Sequence, residues 1–197
     1  WRTNKTPNVM LEKVLQLDIQ LLVFLNGLGS TTFDGLWLFI TKQSNWTPFF
    51  VLVLYLIYKK IGVRSTLYLL LFITLLLILT DQTTNLFKVT FQRLRPCNNP
   101  EINTIIRLVK PSNSFSFFSG HAANSMATMT FLFLLLKKYY RYAFLVFLFP
   151  LIFAYSRIYL GLHYPLDILT GYLFGASFGF IAYKLYQKYV LKNSGNR

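Results

Sequence analysis

The chain has 197 residues, enough for one compact domain, and 54% of them are hydrophobic, 18% aromatic and 13% charged. That composition is typical of a membrane protein. The net charge of +14 suggests nucleic-acid binding, but the basic residues lie in short clusters between apolar runs, a pattern of membrane proteins. The single cysteine, Cys97, excludes an intramolecular disulfide framework and a multi-cysteine metal site.

The N-terminal part of the chain predicts a surface helix and two apolar segments. Residues 11–18 have the spacing of a short helix that lies along the membrane surface. The first apolar segment, about 19–41, is interrupted at residues 26–30. Since a span needs about 20 residues, this segment is either one broken helix or an interfacial helix plus a span, and we favour the break. A second, short segment covers 46–58.

Four more apolar segments follow. The third, about 65–87, turns polar after Leu79, and a loop over 89–118 is rich in Pro, Asn, Ser and Arg. Loops of this length in compact chains are often functional. The last three segments are about 119–136, 142–159 and 165–186. We therefore predict an all-α fold, a bundle of six transmembrane helices in one domain over residues 1–197, with an N-terminal interfacial helix and a long loop between helices 3 and 4.

The distribution of basic residues predicts the orientation. With six crossings, both termini share one membrane face with the loops near residues 60 and 139. Thirteen of the 20 Lys and Arg residues fall on that face, so the positive-inside rule places both termini in the cytoplasm. Six of the other seven cluster around the 89–118 loop and the stretch 156–167, which indicates an anion site on the outer face.

Three polar clusters meet on this outer face. They are Lys88-x6-Arg95-Pro96, Phe118-Ser119-Gly120-His121 and Ser156-Arg157-x5-His163-x3-Asp167. Arg95 and Arg157 can each offer paired donors to phosphate oxygens, and Lys88 adds a point charge. Ser119 and Gly120 precede a predicted helix, whose first amide N–H groups and dipole favour an anion. The pattern indicates a phosphate site.

Two histidines could supply the chemistry at this site. His163 lies just before a predicted helix, and Asp167, one turn later, is within reach of a ring nitrogen. A carboxylate there fixes the tautomer and leaves the other nitrogen as a nucleophile. His121, on another helix, can serve as general acid to the leaving oxygen. Taken alone, each residue has a structural reading, such as a helix cap, but their joint placement on one face is hard to explain as structure.

Two other acids lie at or near membrane depth, where an ionisable residue is a functional candidate by default. Asp81 is a candidate partner of Lys88 or Arg95. Asp34 is interpreted as an interfacial residue.

Together the three clusters resemble the three-part signature of the type 2 phosphatidic acid phosphatase (PAP2) superfamily, which also includes bacterial acid phosphatases and vanadium haloperoxidases. The motif core covers 88–167, and its first and third parts match in residue and spacing. The second part departs from the signature at Phe118, where proline is usual. Because that proline takes no part in the chemistry, the roles of Ser119, Gly120 and His121 are unaffected. The six-span layout is similar to that of the membrane members.

The resemblance implies a mechanism. His163 would attack phosphorus and form a phosphohistidine, Asp167 would orient His163, and His121 would protonate the leaving group and then activate water. The phosphate would be held by Lys88, Arg95, Ser119, Gly120 and Arg157. We expect neither metal nor other cofactor, since these groups supply the electrostatic stabilisation usually given to magnesium.

The resemblance also implies a lipid phosphatase in the bacterial inner membrane, with its active site facing the periplasm. We rank undecaprenyl pyrophosphate and phosphatidate or phosphatidylglycerophosphate first as substrates, and lipid A 1-phosphate second. The 97–117 loop, through Arg107 and Lys110, is the candidate for head-group selection. The alternative class is a non-catalytic lipid-binding, transport or scaffold protein, and the intact residues His121, His163 and Asp167 argue against it. We expect no nucleic-acid partner, and a haloperoxidase is disfavoured because the chain lacks the soluble scaffold of those relatives.

Overall fold

A computed structural model describes residues 9–191, and this part of the chain contains helices and turns but no strand. The helices are α1 (Val9–Gly27), α2 (Thr31–Ile40), α3 (Thr47–Phe91), α4 (Gly120–Leu136), α5 (Leu148–Tyr159) and α6 (Pro165–Tyr186). Short 3-10 turns cover Gln43–Trp46, Pro96–Asn98 and Ala143–Phe147, and a π-helical turn covers Gln187–Leu191. The predicted all-α class is confirmed.

The helix α3 consists of two arms that meet at Gly62. This residue has φ 74° and ψ 173°, a backbone conformation that glycine adopts without the steric cost of a Cβ. The predicted segments 46–58 and 65–87 are these two arms. Residues of both arms line one cavity, among them Ile57 of the first arm and Leu69 of the second. The chain just after the second arm meets the loop before α4, where the Ser116 amide donates to the Arg93 carbonyl at 2.8 Å.

Within residues 9–191, two helical stretches are long and apolar enough to cross a membrane. They are Gln43–Asn98, with a mean hydropathy of 2.1, and Pro165–Leu191, with 1.3. The apolar stretches Gly120–Leu136 and Ala143–Tyr159 are shorter. The second arm of α3 also exposes Leu67, Leu71, Leu75 and Leu79, each 52–63% accessible. Such an exposed apolar stripe suits a lipid environment, while the count of six spans stays a prediction.

The N-terminal region departs from the predicted layout. The surface helix expected over 11–18 is not a separate element, because α1 is continuous from Val9 to Gly27. The segment 19–41 is interrupted at residues 28–30, between α1 and α2, as the break predicted at residues 26–30 indicates. Residues 1–8 and 192–197, which carry four of the basic residues used for orientation, lie outside the described residues, so the cytoplasmic placement of both termini stays a prediction.

The buried face of α1 packs on the helix ends that carry the third motif. Its buried residues are Asp18, Leu22 and Asn26, which recur every four positions. Asn26 donates to the Ile158 and Tyr159 carbonyls at the end of α5, at 3.1 and 2.9 Å. Asp18 accepts from the Leu166 amide at the start of α6, at 2.8 Å. The helix α1 thus joins the end of α5 to the start of α6.

Close packing of α4 on α6 brings the second and third motifs together. Three α6 glycines face α4 at four-residue spacing: Gly171, Gly175 and Gly179. A Cβ on Gly171 would lie 2.7 Å from the Ser119 carbonyl oxygen, so only glycine allows this backbone approach. The Ser119 amide donates to the Asp167 carbonyl at 3.0 Å. The start of α4 is therefore fixed beside the start of α6.

Candidate active site

The predicted site residues converge at one end of the bundle. Lys88 is in the last turn of α3, Arg157 is in the last turn of α5, and Ser119 is the N-cap of α4. His163 lies in the short connection before α6. These elements bring the positive charges of Arg95, Arg157 and Lys88 within electrostatic range of His163. The same three charges and His163 also act on His121. The structure therefore brings all three motifs to one place.

A carboxylate holds one side of the His163 ring. The ring nitrogen Nδ1 lies 3.4 Å from Asp167 Oδ2, and the two residues are 1% and 0% exposed. The Asp167 carboxylate also accepts from the Tyr164 amide at 3.0 Å and from Arg93 Nη1 at 2.8 Å. Because these donors occupy both of its oxygens, the carboxylate has one orientation, with Oδ2 toward the ring.

His163 is a neutral imidazole at neutral pH. Burial lowers its pKa well below the ordinary value of 6.5, and the nearby charges of Arg95, Arg157 and Lys88 lower the pKa further. A neutral imidazole carries the lone pair that nucleophilic attack requires.

Three cations near His163 have no acidic partner in the part of the chain that the structure describes. Within residues 9–191, no salt bridge involves Lys88, Arg95 or Arg157. Arg95 is 5% exposed and donates only to neutral oxygens, of Ser114 at 2.8 Å and of Leu162 at 3.2 Å. Buried positive charge without a counter-charge is costly, so this region favours an anion.

Arg157 has unused hydrogen-bonding capacity. It is 6% exposed, and its Nη1 donates to Thr41 Oγ1 at 2.7 Å. Its Nε is buried without a partner in the described part of the chain. A guanidinium with a free donor and no carboxylate neighbour is suited to an oxyanion.

The second motif forms the start of α4. The Ser119 side chain caps this helix by accepting from the Ala122 amide at 3.4 Å. Phe118, where the family signature has proline, is fully buried and stacks on Phe174 with ring centroids 5.0 Å apart. His121 packs against Phe153, with ring centroids at 5.3 Å. The substitution at position 118 thus places an aromatic side chain in the core next to the Ser-Gly-His residues.

A cavity of about 500 Å³ extends to the site. Most of its lining is apolar and includes residues such as Leu54, Ile57, Leu69, Ile73 and Leu132. Its end near the site is polar, and there it meets Lys88, Gly120 and His121. The other predicted residues are buried and do not line the cavity: Arg95, Ser119, Arg157, His163 and Asp167.

Two of the acids have defined partners, and for Asp81 the partner differs from the sequence interpretation. Asp81, a candidate partner of Lys88 or Arg95, forms a salt bridge with neither and accepts from Asn124 Nδ2 at 2.7 Å. Asp34 accepts from Arg107 Nη2 at 3.0 Å on both oxygens and from the Tyr159 hydroxyl at 2.8 Å. Arg107 is therefore already paired, which weakens its candidacy for head-group selection.

Sequence reasoning missed two residues that touch the site. Arg93 binds Asp167, and Asp18 binds Arg93 at 2.6 Å. The sequence offered an indication for Arg93, because this residue lies within the first motif, two positions before Arg95. For Asp18 the only indication was that acidic residues are rare in this chain, since Asp18 lies far from every motif along the sequence.

Comparison with known proteins gives consistent matches. The model of the family described as the PAP2 superfamily matches residues 65–191. A lipid A 4'-phosphatase of Bacteroides thetaiotaomicron is 37% identical over 89% of this chain and 81% of its own length. An undecaprenyl-diphosphatase of Sulfolobus acidocaldarius is 30% identical over 88% of this chain and 81% of its own. The fold is shared with the crystal structure of a transmembrane PAP2-type phosphatidylglycerolphosphate phosphatase from Bacillus subtilis, with a TM-score of 0.69. The two chains are 19% identical, and the match covers 90% of this chain and 88% of that one.

Proposed function

This chain belongs to the PAP2 superfamily and is a membrane lipid phosphatase, and on that premise we propose that it cleaves a lipid phosphate ester through a phosphohistidine intermediate without a metal ion. One observation carries the proposal. Three cations, none of which has an acidic partner among residues 9–191, act electrostatically on a buried, neutral histidine whose Nδ1 faces a carboxylate. That arrangement provides both a nucleophile and a binding site for the phosphate oxygens.

The first step forms a bond between His163 and phosphorus. Since Nδ1 faces Asp167, the attacking atom is Nε2, and Asp167 stabilises the positive charge that develops on the ring. The bond between phosphorus and the lipid oxygen breaks, and His121 donates a proton to that oxygen. The non-bridging phosphate oxygens are held by Lys88, Arg95, Arg157, Ser119 and Gly120.

The second step regenerates the enzyme. His121, now without its proton, takes one from a water molecule, which attacks the phosphorus of the phosphohistidine. The bond between phosphorus and nitrogen breaks, inorganic phosphate leaves, and His163 is neutral again. The net reaction converts a lipid phosphate and water into a lipid alcohol and phosphate, or a lipid diphosphate and water into a lipid monophosphate and phosphate.

The polar end of the cavity favours a glycolipid substrate. Asp81, Asn85 and Asn124 line the cavity beside Lys88 and His121. Thr84 Oγ1 and Asn124 Oδ1 are buried there without a partner among the described residues. An acylated amino-sugar phosphate presents uncharged hydroxyl and amide groups next to its phosphate, whereas a polyprenyl diphosphate presents a second charged phosphate followed by hydrocarbon. We therefore rank a lipid A phosphate first, which reverses the ranking made from the sequence, and the 37% identical relative is named for such a substrate.

Undecaprenyl diphosphate is the second candidate. The relative named undecaprenyl-diphosphatase is 30% identical to this chain. The apolar lining of the cavity, with Leu54, Ile57 and Leu132, would hold a prenyl chain as well as an acyl chain. For both candidates we place the site on the periplasmic face, as the distribution of basic residues indicates.

A substrate panel tests the proposal. Purified protein in detergent would be offered lipid A, undecaprenyl diphosphate, phosphatidate and phosphatidylglycerophosphate, and the released phosphate would be measured. We expect release from lipid A to be fastest and His163→Ala to release none. Absence of phosphate release from every lipid in the panel would reject the enzyme reading and favour the lipid-binding alternative.

A further inference from the structure

One guanidinium joins two buried carboxylates from opposite ends of the chain. Arg93 Nη2 donates to Asp18 Oδ2 at 2.6 Å, and Arg93 Nη1 donates to Asp167 Oδ1 at 2.8 Å. The side chains of Asp18 and Asp167 are 1% and 0% exposed. A planar guanidinium can bridge two acceptors in this way, which the single ammonium of lysine cannot reproduce.

Arg93 is fixed by contacts other than the two carboxylates. Its guanidinium carbon lies 3.8 Å from the centroid of the Tyr164 ring. Its carbonyl accepts from the Ser116 amide at 2.8 Å, and Ser116 is fully buried. Arg93 therefore has a defined position beside Asp167 Oδ1.

The second carboxylate, that of Asp18, changes the electrostatic effect of Arg93 on Asp167. A guanidinium paired with Asp167 alone would neutralise that carboxylate and weaken its interaction with a positive imidazole. Asp18, which is closer to the guanidinium, offsets the charge of Arg93 and leaves Asp167 a net partner for His163. Because Arg93 holds Oδ1, the other oxygen, Oδ2, stays directed at His163 Nδ1.

We propose that Asp18 is a positioning residue of the active site, which acts through Arg93 on the orientation and charge of Asp167. This inference rests on the proposed roles of His163 and Asp167. It makes α1, which lies outside the residues 65–191 matched by the family model, part of the catalytic apparatus.

Asp18 also has a structural contact, which the test must separate. Its Oδ1 accepts from the Leu166 amide at 2.8 Å and so helps to dock α1 on α6. A residue that only docks a helix would affect stability and would act independently of Arg93. A residue that acts through Arg93 would lose its effect once Arg93 is replaced.

A double-mutant cycle on the full chain makes this separation. Asp18→Asn, Arg93→Gln and the double variant would be assayed with the panel lipid that the unmodified protein hydrolyses fastest. We expect Asp18→Asn to lower kcat about tenfold with KM changed less than about twofold, within the range of couplings between contacting residues. In the Arg93→Gln background the same substitution should change kcat less than about twofold. Arg93→Lys, which keeps the charge but not the bridge, provides a second background if Arg93→Gln does not fold.

Asp34→Asn is the matched control. Asp34 also pairs with an arginine, Arg107, but that pair does not contact Asp167. We expect Asp34→Asn to keep kcat within about twofold of the unmodified protein. The inference is overturned if Asp18→Asn matches this control, or if the effects of Asp18→Asn and Arg93→Gln multiply. An inactive unmodified protein would instead reject the proposed function.

Discussion

Asn124 of α4 donates a hydrogen bond of 2.7 Å to Asp81 of α3 at the polar end of the cavity. Its Oδ1 is left buried without a partner in the described residues. The two side chains lie beside Lys88 and His121, where a substrate would carry the groups next to its phosphate. An acid that sequence reasoning assigned to a cation therefore belongs to the region that would distinguish one lipid head from another.

Replacing Asn124 should change substrate preference more than catalysis. Asn124→Leu removes a hydrogen-bonding group, so we expect the ratio of kcat/KM for lipid A to kcat/KM for undecaprenyl diphosphate to fall about fivefold, the effect of roughly 1 kcal/mol. Thr74→Leu is a suitable control because Thr74, on the same arm of α3 as Asp81, is exposed and outside the cavity. An unchanged ratio would remove the case for a glycolipid.

The depressed pKa of His163 predicts the acid side of the pH profile. Burial and the charges of Arg95, Arg157 and Lys88 lower this pKa, so the ring stays neutral as the pH falls through 6.5. The fall in kcat/KM that results from protonation of His163 should therefore occur well below pH 6.5. Arg95→Gln removes one repulsive charge and should move this fall to higher pH, although it also weakens phosphate binding. The ionisation of the substrate would be titrated separately, and a fall due to His163 at or above pH 6.5 would contradict the assignment.

The cations of the site should make added metal unnecessary. If Lys88, Arg95 and Arg157 provide the electrostatic stabilisation, phosphate release should be unchanged after treatment with EDTA. Replacing any one of them should lower kcat/KM by at least about tenfold, since each is a charged hydrogen-bond donor to the transition state. A strong loss with EDTA that magnesium or another divalent ion restores would refute the mechanism proposed above.

The glycine stripe of α6 should be sensitive to a single methyl group. A Cβ on Gly175 would meet the Ala123 carbonyl of α4, so we expect Gly175→Ala to destabilise the protein by about 1–3 kcal/mol. Gly35→Ala is the control, because a Cβ on this α2 glycine has no heavy atom within 4 Å. Alanine there should be neutral or stabilising by up to about 1 kcal/mol. Thermal unfolding in detergent would compare the two, and equal midpoints would show that α4 and α6 can separate freely.

The sequence predicted the helical class and the three motifs because these depend on local patterns. Apolar runs mark the helices, and fixed spacings place Lys88 with Arg95 and His163 with Asp167. The pairing of Asp18 with Arg93 joins residues 75 positions apart, and no local pattern indicates it. The continuity of α1 was also missed, since the polar residues near position 18 look like a boundary when their buried partners are unknown.

Trapping the phosphoryl-enzyme tests the central claim most directly. Protein would be mixed with substrate labelled in its phosphate and quenched within milliseconds in alkali, where a phosphohistidine is stable, with a matched portion treated with acid, where it is hydrolysed. We predict label on the unmodified protein that survives alkali and is lost in acid, and no label on His163→Ala. Label retained by His163→Ala, or turnover by the unmodified protein without any labelled intermediate, would contradict nucleophilic attack by His163.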